Sequence, residues 1–239
     1  MTQPTVITGS SLAYDPTANS GTTRTFANVS IPAECNTFMA LVVLSATEQS
    51  ARWSSVTFNG VGAVKLHQID VSSNSTIMCT MVAVFDTSDI GAVTGDITAT
   101  LEDSETFNAL LGVVCTTGFV ESFAGSNDRF SNIGRSTAWS GNYENNIQVL
   151  MGGQDRDADA FSVTDGVKIY SEDPTGEVAP CAWAAYQDTN ETDGQKVIRY
   201  YAAIEEVADI CFLISSQKNP FVSNFGPVIR PIISHDVIS

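Results

Sequence analysis

The chain has 239 residues, of which 43% are hydrophobic, and a mean hydropathy of +0.05, values that exclude an intrinsically disordered chain. Its longest purely apolar runs, such as Ala40-Leu41-Val42-Val43-Leu44, fall far short of the roughly 20 residues a membrane-spanning helix needs. With 11 Lys and Arg against 27 Asp and Glu, the formal net charge is −16 and the pI about 4.2, which argues against nucleic acid and anionic membrane as partners.

The N-terminal stretch MTQPTVITGS carries neither a basic n-region nor an apolar h-region, so no secretion signal is expected. Residues 1–20, with Pro4 and Pro16, read as an extended N-terminal arm. Beyond it, strands are predicted at 23–31, 37–46, 54–58, 64–70, 76–85, 96–102, 109–123, 147–152, 166–170, 181–187, 196–203 and 210–215. Clusters of Gly, Asn, Asp, Ser and Pro separate them, and no apolar pattern of helical period is sustained anywhere. After the strand 54–58, Asn59-Gly60 supplies a positive-φ pair for a tight I′ turn, with Val56 and Phe58 facing the core. Over 76–85 both parities are apolar, as in a central strand covered on two sides, whereas in 96–102 only Ile97, Ala99 and Leu101 share an apolar face. The expectation is an all-β fold: one antiparallel β-sandwich over 21–217, jelly-roll-like. The tail 218–239 is apolar but broken by Pro220, Pro227 and Pro231, which rules out a helix or a central strand. Val228, Ile229, Ile232, Ile233 and Ile238 would be costly to leave in water, so this C-terminal arm is expected either to dock on a neighbouring subunit or to pack back on its own domain.

Five cysteines, Cys35, Cys79, Cys115, Cys181 and Cys211, form an odd set without CxxC spacing, so neither a zinc ribbon nor a redox motif is indicated. Cys79, Cys115 and Cys211 sit in apolar runs where a free thiol behaves as a small hydrophobe, which fits folding in a reducing cytoplasm.

The alternate carboxylates Asp155, Asp157 and Asp159 could wrap a calcium ion, the one cofactor the chain suggests. The rest of an EF-hand loop is missing, because Ala160 stands at the turn-glycine position and Gly166 at that of the bidentate glutamate. Hydrolytic chemistry has little to draw on: the two histidines are His67 and His235, and no serine lies in a GxSxG elbow. The acid clusters (Glu102, Asp103, Glu105; Glu172, Asp173; Glu205, Glu206, Asp209) do not alternate along one strand, and no GxGxxG, P-loop or HExxH is present. No enzymatic role is expected. Trp139, Tyr143 and Arg135 could form a glycan platform or a partner interface, since sugar rings stack on exposed aromatics and all three residue types are common at hot spots. Trp183, in CAWAAYQ, is expected in the core.

The succession SSVTFNGVGAVKL, TIMCTMVAVFD, DITATLE, ALLGVVCTTGFVESF, NIQVLMGG and CAWAAYQD resembles a pattern of tailed-bacteriophage and prophage virion proteins, across roughly residues 37–215. The resemblance implies a non-enzymatic virion structural protein: a capsid decoration (cement) protein or another particle-surface or tail-associated subunit. Its implied partners are copies of itself and other virion proteins, such as the major capsid or tail proteins. It would be made in the host cytoplasm and located in the virion. The alternative is a tail-associated protein that binds a host glycan receptor.

Overall fold

The structure is a computed structural model that describes residues 3–7, 12–46, 53–72, 77–87, 94–128, 135–140, 146–154, 162–172, 181–187, 195–201 and 207–218. Among the described residues there are 16 strands and no helix. In chain order they are β1 (Val6–Ile7), β2 (Leu12–Ser30), β3 (Thr37–Ala46), β4 (Trp53–Phe58), β5 (Val61–Gly62) and β6 (Lys65–Ser72). Next come β7 (Ile77–Asp86), β8 (Thr94–Thr116), β9 (Phe119–Asp128), β10 (Arg135–Ser140) and β11 (Asn146–Gln154). The last are β12 (Ser162–Asp165), β13 (Val167–Glu172), β14 (Cys181–Gln187), β15 (Gln195–Tyr201) and β16 (Val207–Ser215). Every pairing between them is antiparallel.

The first sheet is organised by β8, whose two halves keep different neighbours. Its N-terminal half pairs with the end of β2 and with β4; its C-terminal half pairs with the start of β2, with β1 and with β3. Beyond β3 the order continues through β7 to β6. Ile97, Ala99 and Leu101 from one half, and Ala109, Leu111, Val113 and Cys115 from the other, all enter the same core. Both halves can face one core only if the β2–β8 ribbon bends between them. The register shifts of β2 at Asp15/Asn19 and Gly21/Thr23 supply that bend, because an extra residue on one strand kinks the pair and raises its twist. The exposed Glu102-Asp103-Ser104 lies at the bend, while Trp53, Val56 and Phe58 of β4 close over the core from the other layer.

β3 explains how a second layer is added. Phe38, Ala40, Val42 and Leu44 point into the first core, while Met39, Leu41 and Val43 point out of its other face into a second. β7 behaves alike, Ala83 and Phe85 one way and Val82 and Val84 the other, as its two-sided apolar run predicts. The second core is completed by the sheet β13-β14-β11-β16-β9, through Ile147, Val149, Met151, Ala182, Ala184, Ile210, Phe212 and Ile214. The outer face of that sheet is buried too: Leu150, Trp183, Ala185 and Leu213 are inaccessible, so Trp183 is a core residue as expected. β14 and β11 each have strand neighbours on both edges, so their contacts with β15 are made across a face, and the small sheet β10-β15-β12 covers it. The result is a stack of antiparallel layers packed as in a β-sandwich.

Some boundaries differ from expectation. The expected strands 96–102 and 109–123 are rearranged: β8 runs unbroken from Thr94 to Thr116, and the chain then turns at Thr117-Gly118 into β9 of the next sheet. Gly118 permits this crossing, since a Cβ there would stand 2.6 Å from the Ser215 carbonyl oxygen and equally near Ile214 and Pro4. Within the span 1–20, β1 and the first part of β2 pair with β8.

The turn at 59–60 has the expected form. Asn59 and Gly60 have φ of 48° and 79°, and Phe58 pairs with Val61 across a two-residue loop. It is also tied to the start of β8. The Asn59 N–H donates to the Asp96 carbonyl (2.9 Å), and the Asp96 N–H donates to Asn59 Oδ1 (2.9 Å). Asp96 Oδ1 in turn accepts from the N–H of Asn28 (3.0 Å), the positive-φ residue at the β2 bulge. Gly60→Ala, which forces a side chain into left-handed backbone, is expected to cost about 1 kcal/mol. Urea unfolding should show a lower midpoint at unchanged slope; an unchanged midpoint would mean that the turn carries no strain for a side chain.

Candidate functional site

The residues singled out from sequence fall unevenly on the structure. Arg135 and Trp139 both lie on β10, at positions of one parity, opposite Tyr200 and Lys196 of β15. The next pair, Ser136 and Arg199, adds another cation to the same two strands. In a chain with only 11 Lys and Arg, this small sheet thus collects three of them, Arg135, Lys196 and Arg199, beside aromatic positions 139, 200 and 201. Sequence reasoning passed over Tyr200 and Lys196, which stand opposite Arg135 and Trp139 only through strand pairing, and Arg199, which pairs with Ser136 at the other parity. Tyr143, the carboxylates Asp155, Asp157 and Asp159, and the tail positions Val228, Ile229, Ile232, Ile233 and Ile238 lie outside the described residues. The carboxylates follow directly on the end of β11.

Among the described residues no group of three or more His, Cys, Asp or Glu could hold a metal ion. Calcium at Asp155, Asp157 and Asp159 is testable directly by melting the protein in EDTA and then in excess calcium. Saturating a site to about 100 times its Kd adds about 2.7 kcal/mol, so binding should raise the melting temperature measurably. An unchanged value disposes of the site.

A second concentration of polar chemistry lies at the rim of the first core, where β3, β7 and β8 end together. The Asn36 N–H donates to the Thr116 carbonyl (2.9 Å), and its Nδ2 to the Thr117 carbonyl (2.6 Å). Thr87 Oγ1 donates to the Cys35 carbonyl (2.6 Å), while the Thr117 N–H donates to the Thr5 carbonyl (3.0 Å). Within this frame the buried Cys35 thiol donates to the Thr37 carbonyl (3.2 Å), and the buried Cys115 thiol is its neighbour in the same core. Its interaction with the Cys115 side chain, helped by the backbone at Thr116 and Thr37, holds the Cys35 thiol below its ordinary pKa against the opposing effect of burial. The same interaction, reinforced by burial, pushes Cys115 far up. The third described free cysteine, Cys211, sits on the outer face of another sheet, where Gln148 Nε2 donates to its Sγ (2.9 Å).

Comparison with known protein families, with curated proteins and with solved structures finds no match for this chain.

Proposed function

We propose that this is a non-enzymatic structural subunit of a tailed-phage particle, a capsid decoration protein or another surface subunit, with a jelly-roll-like core and an extended C-terminal arm. The observation that carries the proposal is the strand succession that begins SSVTFNGV, which resembles that of virion proteins and contains the turn held by Asn59 and Asp96. The way the described polar groups are used agrees with it. Asp96, Asn36, Thr87 and Thr117 tie strand ends and bulges together, which favours a rigid building block. The apolar, proline-broken tail gives such a block a means of reaching neighbours, because exchanged arms bury area across symmetric contacts. Copies of the chain and other virion proteins are its partners in this reading.

The test is a reconstruction of the particle from the phage that encodes the chain. The stacked sheets should fit density on the particle surface, repeated with the particle's symmetry. Particles that lack the protein would overturn the proposal.

A second reading has one observation in its favour: β10 and β15 bring Arg135, Trp139, Lys196, Arg199 and Tyr200 onto two paired strands of an otherwise acidic chain. Cations among aromatics suit a host glycan, especially an acidic one. Binding on a glycan array that falls at least tenfold with Trp139→Ala supports it; an array without signal removes it.

A further inference from the structure

Cys35 and Cys115 are 80 residues apart in sequence, yet their thiols meet at the rim of the first core. We infer that they form a dithiol site for two-electron oxidation, closing a Cys35–Cys115 disulfide when the protein meets a peroxide. The inference rests on the burial of both thiols in one core at the end of the β3–β8 ladder and is independent of any role in a particle.

The backbone brings the two residues together without a further rearrangement. Thr37 pairs with Thr116 and Phe38 with Cys115, and the Asn36 N–H extends the ladder to the Thr116 carbonyl. Cys35 lies just beyond, its carbonyl held by Thr87 and its thiol turned inward to Cys115. Ala33 and Glu34 beside it are exposed, so the pair is buried under a single turn of chain at the edge of the fold. A molecule as small as hydrogen peroxide needs only a local opening of that turn.

The thiols also divide the chemistry between them. Cys35, next to the exposed Ala33-Glu34 turn, is reached first and takes the first step as its thiolate, since the thiolate is the nucleophile in such oxidations. Its sulfur attacks one peroxide oxygen; an S–O bond forms, the O–O bond breaks, and the departing hydroxide takes the thiol proton to leave as water. The Cys115 sulfur then attacks the Cys35 sulfenic acid. An S–S bond forms, the S–O bond breaks, and the second hydroxide leaves as water with the Cys115 proton. Two thiols lose two electrons and one peroxide gains them. Closing so long a loop chiefly restricts the unfolded chain and should raise the melting temperature on the order of 10 °C.

The experiment treats the full chain with hydrogen peroxide and maps its peptides without reduction. The expected result is an intact mass lower by two hydrogens, a Cys35–Cys115 cross-linked peptide, a higher melting temperature, and reversal of all three by dithiothreitol. Cys35→Ser and Cys115→Ser should each abolish the cross-link and the shift. If either variant misfolds, the map of the unaltered protein decides. A map with Cys35 and Cys115 unlinked, with Cys35 as sulfinic acid, or with the cross-link between other cysteines overturns the inference.

Discussion

Phe38→Ala is expected to destabilise the protein by about 3–5 kcal/mol, enough to lower the melting temperature by on the order of 10 °C. The Phe38 ring is inaccessible to solvent and sits where the bent sheet closes on itself. It stacks on Phe85 at 4.5 Å and 12°, and meets the edge of Phe58 at 5.3 Å and 68°. These three rings come from β3, β7 and β4, so their contact spans the two layers folded together by the bend in β8. Truncating the middle ring leaves a cavity that rigid sheets on both sides cannot refill, and it removes two favourable aromatic pairs. Denaturant unfolding checks this. A loss under about 1 kcal/mol, the scale of a surface change, would mean that the layers do not close over this ring.

Gly112→Ala is expected to cost about 1–3 kcal/mol by overpacking the second core. Gly112 lies in β8 on the face turned to the second sheet, between Leu110 and Val114. A Cβ there would stand 2.2 Å from the Tyr170 hydroxyl and 2.8 Å from its Cζ. Tyr170 comes from β13 and cannot swing clear, because it is buried among residues of both sheets. Combining Gly112→Ala with Tyr170→Leu should therefore cost less than the sum of the two changes. Strict additivity would place the clash elsewhere. The Tyr170 hydroxyl itself finds no hydrogen-bond partner among the described residues, so Tyr170→Phe should be neutral or slightly stabilising. Burial raises the Tyr170 pKa well above that of a free phenol, so its contribution is present in full below about pH 10 and is lost as the pH climbs further. Tyr170→Phe should remove that part of the alkaline loss.

How much of this was legible in the sequence depends on the element. The strands expected at 37–46 and 181–187 coincide with β3 and β14, because each is an apolar run bounded by turn-forming or charged residues. The two-sided burial of β7 could be read from its apolar residues of both parities. β8 could not be read as one strand. Its middle, Glu102-Asp103-Ser104, has loop composition and no partner in β2, and only the pairing of β2 on either side of it makes the two halves one strand. β10 was missed because Arg-Ser-Thr-Ala-Trp-Ser shows no apolar alternation. The site followed the same division. Arg135 and Trp139 were visible as residue types, but their companions on β15 depend on a register between strands far apart in the chain. The Cys35–Cys115 contact was hidden for the same reason, since no local spacing marks two thiols brought together by the end of a β3–β8 ladder.

Assembly through the C-terminal arm is tested most directly by sedimentation of the full chain beside a form ending at Lys218. The cut is placed there because Lys218 pairs with Asp86 and lies over the Phe119 ring at 6.0 Å, so the sheets keep that contact. The expected result is an oligomer for the full chain and a monomer for the shortened one, with the same melting temperature for its folded core. A shortened chain that still assembles fully would contradict the account.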